Sequence, residues 1–234
     1  MNQIIENLRQ ELIRNADEKI KQSGERFFKE EVKIYGIRSA LVSQIGKDHY
    51  KAITEKNKSQ IFSLCEDLWE SGIMEESFVA CNWSYYVHKN YKPADFETFD
   101  RWVNNYVGNW ASCDTLCNHS VGTLVEMYPP LLSKLKGWAR SQNRWVKRAA
   151  AVSLIVPARK GIFLEDIFEI ADILHSDSDD MVQKGYGWML KEASKAHQKE
   201  IFTYVMNHKA TMPRTALRYA IEKMPKSLKG RAMK

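Results

Sequence analysis

The sequence predicts an all-α fold, an α-solenoid in which antiparallel helix pairs stack along the chain. Apolar residues recur at intervals of three and four through nearly all of the 234 residues, which is the spacing of amphipathic helices. The period-2 alternation of half-buried strands is absent from the sequence. Helices of about 12 to 18 residues joined by short polar turns are typical of stacked pairs, whose concave side forms an extended groove.

Thirteen helices are predicted in order, each from one apolar stripe. In the first half the stripes combine aliphatic and aromatic residues. These helices are centred on Ile4–Leu12, Asp17–Glu31, Ile37–Ile45, Ile61–Leu68, Phe78–Tyr86 and Phe96–Tyr106. The helices of the second half are Ser112–Tyr128, Pro130–Arg140, Trp145–Val156, Phe163–Leu174, Met181–Ala193, Ile201–His208 and Pro213–Lys223.

Helix-start signals agree with this assignment. Asp95 precedes one helix and the Ser176–Asp180 cluster precedes another, and such side chains accept hydrogen bonds from the free N–H groups of a first turn. Pro213 suits the first turn of the last long helix, where its missing N–H has no partner to lose. We expect one repeat domain over residues 1–225, followed by a loose basic tail at 226–234.

The composition favours a soluble protein. No stretch approaches the roughly 18 uninterrupted apolar residues that a membrane span needs. The first residues carry Glu6 and Glu11 in place of the apolar core of a secretory signal. We therefore expect a cytoplasmic protein, associated with the nucleoid if the source is prokaryotic, which acts as a monomer and has no membrane partner.

The cysteines raise the question of a metal site. Cys113 and Cys117 lie at helical spacing and His119 follows them, but structural zinc takes two separate pairs of closely spaced ligands. Cys65 and Cys81 do not supply a second pair. Reduced, buried thiols are therefore favoured, and the sequence predicts neither a metal nor a cofactor.

Charge is distributed unevenly along the chain. The part from Lys134 to Lys234 contains 20 Lys and Arg against 10 Asp and Glu, whereas the first 133 residues contain 15 against 19. Such asymmetry suggests a polyanionic partner for the C-terminal half. The alternative is an ordinary basic surface in contact with solvent.

Basic residues also recur on single faces of several helices in this half. Rows of Lys and Arg bind a phosphate backbone, with an affinity that falls as salt rises. The alternative, solvated faces with snorkelling stems, fits poorly for Trp188, an indole among three lysines. The candidate DNA-binding cations are Arg144, Lys147, Arg148, Lys184, Lys191, Lys195, Arg214 and Arg218.

The strongest chemical signal is the stretch Asn109-Trp110-Ala111-Ser112-Cys113-Asp114. Trp110 and Asp114 are four residues apart and therefore share one helix face. An indole beside a single carboxylate suits a site that holds a flat or sugar-like group and faces positive charge. The ordinary structural alternatives are core packing for Trp110 and a helix N-cap for Asp114. If this face joins Arg148 and Trp188 in one groove, it predicts a DNA-acting enzyme with one acidic catalyst.

Three separated motifs resemble the AlkD-like DNA alkylation repair glycosylases, which are built from HEAT-like helical repeats. They are Asn109-Trp110-x-x-x-Asp114, Asn143-x-Trp145-x-x-Arg148-Ala149-Ala150 and Gln183-Lys184-x-x-Gly187-Trp188, with Gly36-Ile37 matching an early turn. The resemblance implies that Asp114 is catalytic and that Trp110 and Trp188 are aromatic walls around the deoxyribose of the lesion. It also implies that Arg148 contacts the DNA backbone. Phe27 is the nearest match to a DNA-contacting tyrosine that relatives carry near the end of the second helix.

A single carboxylate is sufficient for one kind of glycoside hydrolysis. Ordinary glycosidases use two, because the leaving group needs a proton. A purine alkylated at N3 or N7 is already cationic and leaves without one, so the carboxylate needs only to stabilise the positive sugar. We expect a glycosylase for N3-methyladenine and N7-methylguanine in double-stranded DNA. The alternatives are a non-catalytic relative that binds damaged or branched DNA, and a HEAT-repeat scaffold for protein partners.

Overall fold

The structure is a computed structural model that describes residues 2–234. Strands are absent from this part of the chain, and an isolated parallel bridge joins Lys33 to Ile73. The all-α prediction is therefore confirmed. The chain divides into two compact units, which we call the first unit (Met1–Leu116) and the second unit (Cys117–Lys234).

The first unit consists of seven α-helices and a short 3₁₀ turn at His88–Asn90 within the described residues. Asn2 and Asp17 cap the first two helices, since each side chain accepts a hydrogen bond from a backbone N–H of the first turn. The helices are α1 (Gln3–Arg14), α2 (Glu18–Phe27), α3 (Ser39–Ala52), α4 (Lys58–Trp69), α5 (Met74–Tyr86), α6 (Asp95–Asn105) and α7 (Trp110–Leu116).

Helix α5 lies at the centre of the first unit, packed on α3, α4 and α7. Its Trp83 is fully buried, and the indole N–H donates to the carbonyl of Gly46 on α3 at 2.8 Å. Tyr91 is equally buried and its hydroxyl donates to the carbonyl of Ser84 at 2.8 Å. Trp83 and Tyr91 thus fill part of this core with their polar atoms satisfied, which keeps the cost of burying them low.

The second unit begins with a π-helical turn at Cys117–Val121. A short 3₁₀ turn at Pro129–Leu131 also belongs to it. Its helices are α8 (Gly122–Met127), α9 (Leu132–Trp138), α10 (Arg144–Val152), α11 (Ile155–Arg159), α12 (Leu164–Leu174), α13 (Asp180–Ala193), α14 (Gln198–His208), α15 (Arg214–Ala220) and α16 (Lys226–Met233).

Helix α13 forms the centre of the second unit. It packs on α10, α11, α12, α14 and α15, and Val182, Tyr186, Met189 and Leu190 on it are fully buried. Helices that are neighbours in sequence also pair elsewhere, as α9 does with α10. The predicted stacking of helix pairs is therefore confirmed within each unit.

Several predicted helices end earlier or are divided. Helix α2 stops at Phe27, short of the predicted Glu31, because Phe28 has an extended backbone (φ −89°, ψ 146°). The predicted helix Trp145–Val156 is divided between α10 and α11. Pro157 has no N–H to donate to the carbonyl four residues earlier, so a continuous helix would lack a bond there.

The C-terminal residues were predicted to form a loose tail, but Lys226–Met233 form the helix α16, which packs on α14. Ala232 is buried, and the guanidinium of Arg231 lies 5.0 Å from the ring centre of Phe202 on α14. These contacts hold the segment in place despite its high positive charge. Its basic residues are therefore part of the folded surface.

Candidate functional site

Helix α7 presents the indole and the carboxylate that the sequence singled out. The side chain of Asn109 accepts a hydrogen bond from the backbone N–H of Ser112 at 2.9 Å, so Asn109 caps this helix. The hydroxyl of Ser112 lies 2.8 Å from that of Ser77 on α5, which fixes the first turn against the core. Because Asn109 is the cap, Asp114 lies in the body of the helix, and the N-cap explanation for Asp114 is wrong.

Trp110 belongs to an aromatic cluster with Phe27 and Phe28. The rings of Trp110 and Phe28 are stacked, with centroids 5.5 Å apart and planes at 26°. Phe27 meets the indole edge-on at 6.0 Å and is 70% exposed. Trp110 itself is half-buried. A partly exposed aromatic surface of this kind is suited to contact a flat ligand or a sugar.

Asp114 follows Trp110 by one helical turn and is 9% exposed. Helical geometry places its side chain on the same face of α7 as the indole. In its ionised form, a carboxylate in this position would supply negative charge beside an aromatic surface, where the low dielectric strengthens its effect on a cation. The predicted pairing of indole and acid on one face is therefore present in the first unit.

The segment after α2 is fastened to α5 by one buried carboxylate, which sequence reasoning missed. Glu75 is 3% exposed and accepts hydrogen bonds from the backbone N–H groups of Tyr35 (3.0 Å), Gly36 (2.9 Å) and Ile37 (3.1 Å). Gly36 has a φ of 93°, which an L side chain rarely adopts. The carbonyl of Gly36 accepts from the N–H of Asp17, the cap of α2. Glu75 thus positions the helix that carries Phe27.

Arg148 lies inside the second unit and not on its surface. It is 5% exposed, one guanidinium nitrogen donates to the carbonyl of Met181 at 2.6 Å, and its aliphatic stem lies against Gly185. Arg148 therefore ties α10 to the first turns of α13. A phosphate contact from Arg148, as the resemblance implies, stays a prediction, and it involves a group that also has this structural role.

Trp188 is half-buried on α13, next to a point of close helix packing. At Gly187, a Cβ atom would lie 2.7 Å from Cβ of Tyr219 and 2.8 Å from the carbonyl oxygen of Ala216 on α15. The two helices can approach this closely only because Gly187 has no side chain. This contact fixes the position along α13 from which the indole projects.

Five of the predicted DNA-binding cations form ion pairs within the second unit. Three of the carboxylate partners lie at least thirty residues further along the chain, and the other two lie within one helical turn of the cation. The pairs are Arg144 with Asp179 (3.1 Å), Lys147 with Asp177, Lys184 with Asp180 (3.0 Å), Lys191 with Glu222 (2.9 Å) and Lys195 with Glu192 (2.6 Å). This pairing neutralises these five cations locally, but it leaves unchanged the excess of Lys and Arg over Asp and Glu in this half, because the count already included their partners.

Arg214 and Arg218 differ from these five. Both are exposed on one face of α15, and within residues 2–234 neither forms an ion pair. In the first unit, Lys19 and Arg26 on α2 are also exposed without an ion pair to any described residue. Together with Phe27 they border a surface hollow of about 550 Å³. These four cations are free to attract phosphates without breaking an internal pair.

The cysteines do not form a metal site in the described residues. All four are buried free thiols, and no group of three or more His, Cys, Asp or Glu between residues 2 and 234 is placed to hold a metal. Burial raises the pKa of the Cys65 and Cys81 thiols well above the ordinary value. Neutral thiols of this kind behave as small apolar core groups.

As for membranes, none of the described helices combines the length and apolarity that crossing a bilayer requires.

The four central site residues are divided between the units. Trp110 and Asp114 belong to the first unit, and Arg148 and Trp188 belong to the second. Each pair lies on helices whose packing is set by identified contacts. That the four line a single groove stays a prediction.

Comparison with known proteins relates the chain to DNA repair. The model of a family described as DNA alkylation repair enzyme matches residues 8–224. A solved structure of a predicted DNA alkylation repair enzyme from Enterococcus faecalis superposes with a TM-score of 0.80, covering 91% of this chain and 98% of that one. The two sequences are 15% identical, so this likeness shows a shared fold. A search of curated proteins found no match. Since the family model spans nearly the whole sequence, the chain belongs to the DNA alkylation repair enzyme family.

Proposed function

We propose that the protein is a DNA glycosylase that hydrolyses the N-glycosidic bond of cationic alkylated purines in double-stranded DNA. The observation that carries the proposal is the buried carboxylate of Asp114, one helical turn from the indole that stacks on Phe28. Family membership supports an enzymatic role in alkylation repair. The enzyme would act as a monomer on DNA in the cytoplasm, or at the nucleoid in a prokaryote.

Asp114 would stabilise the positive sugar that forms as the base departs. N3-methyladenine and N7-methylguanine carry a positive charge before the reaction, so the departing base needs no proton. The developing oxocarbenium ion is then the centre that most needs electrostatic help, and a fixed carboxylate supplies it without reorganisation. The same carboxylate can orient the attacking water. Neutral adducts such as 1,N6-ethenoadenine should be poor substrates.

Aromatic surfaces would hold the deoxyribose while the bond breaks. The ring of Phe28 stacks on the Trp110 indole and holds it in place before a ligand arrives. Trp188 would provide a second wall. Rigid aromatic side chains lose little conformational entropy on binding, which favours them for this task.

The phosphate contacts would begin with cations that have no internal partner. Arg214 and Arg218 on α15, with Lys19 and Arg26 on α2, meet this condition. The five paired residues of the second unit would contribute by exchanging a carboxylate for a phosphate, which yields a smaller net gain. Arg148 would act from its buried position between α10 and α13.

Release of free base from duplex DNA tests the proposal. Purified protein is incubated with DNA containing N7-methylguanine, and free N7-methylguanine is measured by chromatography and mass spectrometry. Catalytic release supports the glycosylase. Tight binding without release would favour the non-catalytic DNA binder. Weak binding that does not depend on salt would favour a protein-interaction scaffold.

The surface of α15 should account for part of the salt dependence of DNA binding. Arg214→Ala and Arg218→Ala should each reduce the slope of log Kd against log salt by about 1, because each removes one phosphate contact. The effect should be equal for all sequences. Lys47→Ala, which removes an exposed cation from α3 of the first unit, is the charge-matched control. An equal decrease with Lys47→Ala would mean that binding follows overall charge and not this surface.

Phe28 should matter more than Phe27 for holding Trp110. Phe28→Ala removes the stacked partner of the indole and should lower DNA affinity about two- to tenfold, the value of one aromatic pair. Phe27→Ala removes an exposed ring that would contact DNA directly. It should therefore lower DNA affinity while leaving the environment of the Trp110 indole almost unchanged in the DNA-free protein. Comparing the tryptophan fluorescence of the two DNA-free variants separates the cases. If Phe27→Ala perturbs the DNA-free protein more than Phe28→Ala does, the supporting role of Phe28 is wrong.

A further inference from the structure

Trp188 is held by two charged neighbours on its own helix. Its indole N–H donates to Oε1 of Glu192, one turn further along α13, at 3.3 Å. The ammonium of Lys191 lies 5.9 Å from the indole ring centre and 5.5 Å from the ring of Tyr219 on α15. The hydrogen bond fixes which edge of the indole faces Glu192, and the cation occupies the space beside the ring. The side chain therefore has one favoured orientation.

Glu192 is fixed in its turn by two cations. Its Oε2 atom accepts hydrogen bonds from Lys195 at 2.6 Å and from Nε of Arg159, on α11, at 2.7 Å. Glu192 is 4% exposed, whereas the side chains of its two partners are about half exposed. Because one oxygen is bound to both cations, the other is turned toward the indole. Oε2 of this carboxylate thus binds the two cations, and Oε1 binds the indole N–H.

The charged form of Glu192 is the stable one at neutral pH. Burial acts to raise its pKa, but the hydrogen bonds and positive charges of Lys195 and Arg159 together outweigh burial and bring the pKa below the ordinary value of 4.5. An ionised carboxylate accepts hydrogen bonds at both oxygens and donates none. Glu192 is therefore an acceptor for the indole N–H throughout the range in which DNA repair would operate.

We propose that Glu192 is a positioning residue, which holds the Trp188 indole in its ligand-binding orientation before DNA arrives. This inference rests on the proposed function, because it assumes that Trp188 contacts DNA. Its physical basis is preorganisation: a side chain that is ordered in the free protein loses less entropy when the ligand binds. Glu192 would act only through Trp188 and would not touch the substrate.

Glu192→Gln is the informative variant. A glutamine has one acceptor oxygen, which the two cations would retain, so its NH2 group would face the indole N–H with two donors opposed. The orientation of Trp188 should then be lost while the size of the side chain is preserved. Glu126→Gln is the matched control, since Glu126 pairs with Lys160 at 2.6 Å in the same unit and contacts no indole.

The first measurement uses the DNA-free protein labelled with 5-fluorotryptophan. Each of the seven tryptophans should give a fluorine NMR signal, and the signal that is missing in Trp188→Phe is that of Trp188. Glu192→Gln should shift and broaden this signal, whereas Glu126→Gln should leave it unchanged. An unchanged Trp188 signal in Glu192→Gln overturns the inference. If Glu192→Gln does not fold, Lys195→Met removes one of the cations from Oε2 and should produce a smaller change in the same signal.

The second measurement is the affinity for duplex DNA containing an abasic-site analogue. Glu192→Gln should weaken binding about three- to tenfold, the value of one hydrogen bond, in a protein that still carries Trp188. In the Trp188→Phe background, which lacks the indole N–H, the same change should have almost no further effect. Additive losses would mean that Glu192 acts only as a structural ion pair, and the inference would fail. If even the wild-type protein does not bind DNA, the proposed function fails, while the fluorine signal still decides whether Glu192 orients the indole.

Discussion

Asp114→Asn is expected to lower the rate of base release by roughly 10²–10³, the usual effect of removing one preorganised electrostatic group. The amide keeps the shape and hydrogen-bonding capacity of the carboxylate but not the charge that would stabilise the oxocarbenium ion. DNA affinity should change little or rise, because a carboxylate near phosphates is repulsive before the reaction. Single-turnover release of N7-methylguanine and a binding titration separate these two effects.

Asp48→Asn is a suitable control for this experiment. It removes the same charge from an exposed position on α3 of the first unit and should leave base release unchanged. Release of the neutral base 1,N6-ethenoadenine should be slow in the wild-type protein, since its departure needs a proton, which Asp114 does not supply in the charged form that the proposed mechanism requires. Full activity in Asp114→Asn would place the catalyst elsewhere and refute the site assignment.

Much of the fold could be predicted because local patterns and tertiary packing agree. The predicted Met181–Ala193 differs from α13 (Asp180–Ala193) by one residue, and its start was signalled by the acidic cluster that contains the cap Asp179. The predicted helix bounds were wrong where one residue interrupts the helix although the apolar pattern continues. The extended backbone of Phe28 ends α2, and Pro157 divides a predicted helix.

The site could be predicted only as far as one helix extends. That Trp110 and Asp114 share a face follows from their spacing alone. The stack of Phe28 on Trp110 joins residues 82 positions apart, and no sequence period reports such a contact. The sequence does show two adjacent aromatic residues, Phe27 and Phe28, at the end of a predicted helix. It does not show which of the two stacks on Trp110.

For a related reason, the charge count could not show which individual cations are available to a ligand. Lys147 lies beside Asp177 and Lys191 beside Glu222, pairs that are about thirty residues apart and become neighbours only after helices pack. A count over the C-terminal half treats both members as independent surface charges. Arg148 was likewise counted among the cations that contact DNA, whereas its guanidinium donates to the carbonyl of Met181 inside the unit. Tertiary pairing thus decides which cations are available to a polyanion.

The second large effect is expected at Glu75, the buried carboxylate that holds the segment after α2. Glu75→Ala removes the acceptor for the N–H groups of Tyr35, Gly36 and Ile37. A buried donor that loses its partner costs about 1–3 kcal/mol, so the variant should lose roughly 3 kcal/mol or more. For a chain of this size, that corresponds to a melting temperature lower by about 6–12 °C. Thermal unfolding followed by circular dichroism measures the change.

Glu75→Gln provides a graded comparison. Its single oxygen can still accept from Gly36 and Ile37, but its NH2 group then faces the N–H of Tyr35, so the loss should be intermediate between wild type and Glu75→Ala. Glu25→Ala, which removes an exposed carboxylate from α2, should unfold at nearly the wild-type temperature. The carbonyl of Gly36 also accepts a hydrogen bond from Asp17, the cap of α2. Loss of the hydrogen bonds to Glu75 should therefore weaken the stack of Phe28 on Trp110 even at temperatures at which the protein is still folded. Wild-type melting of Glu75→Ala would show that the segment is held by other contacts, and Glu75 would then have no part in positioning the cluster.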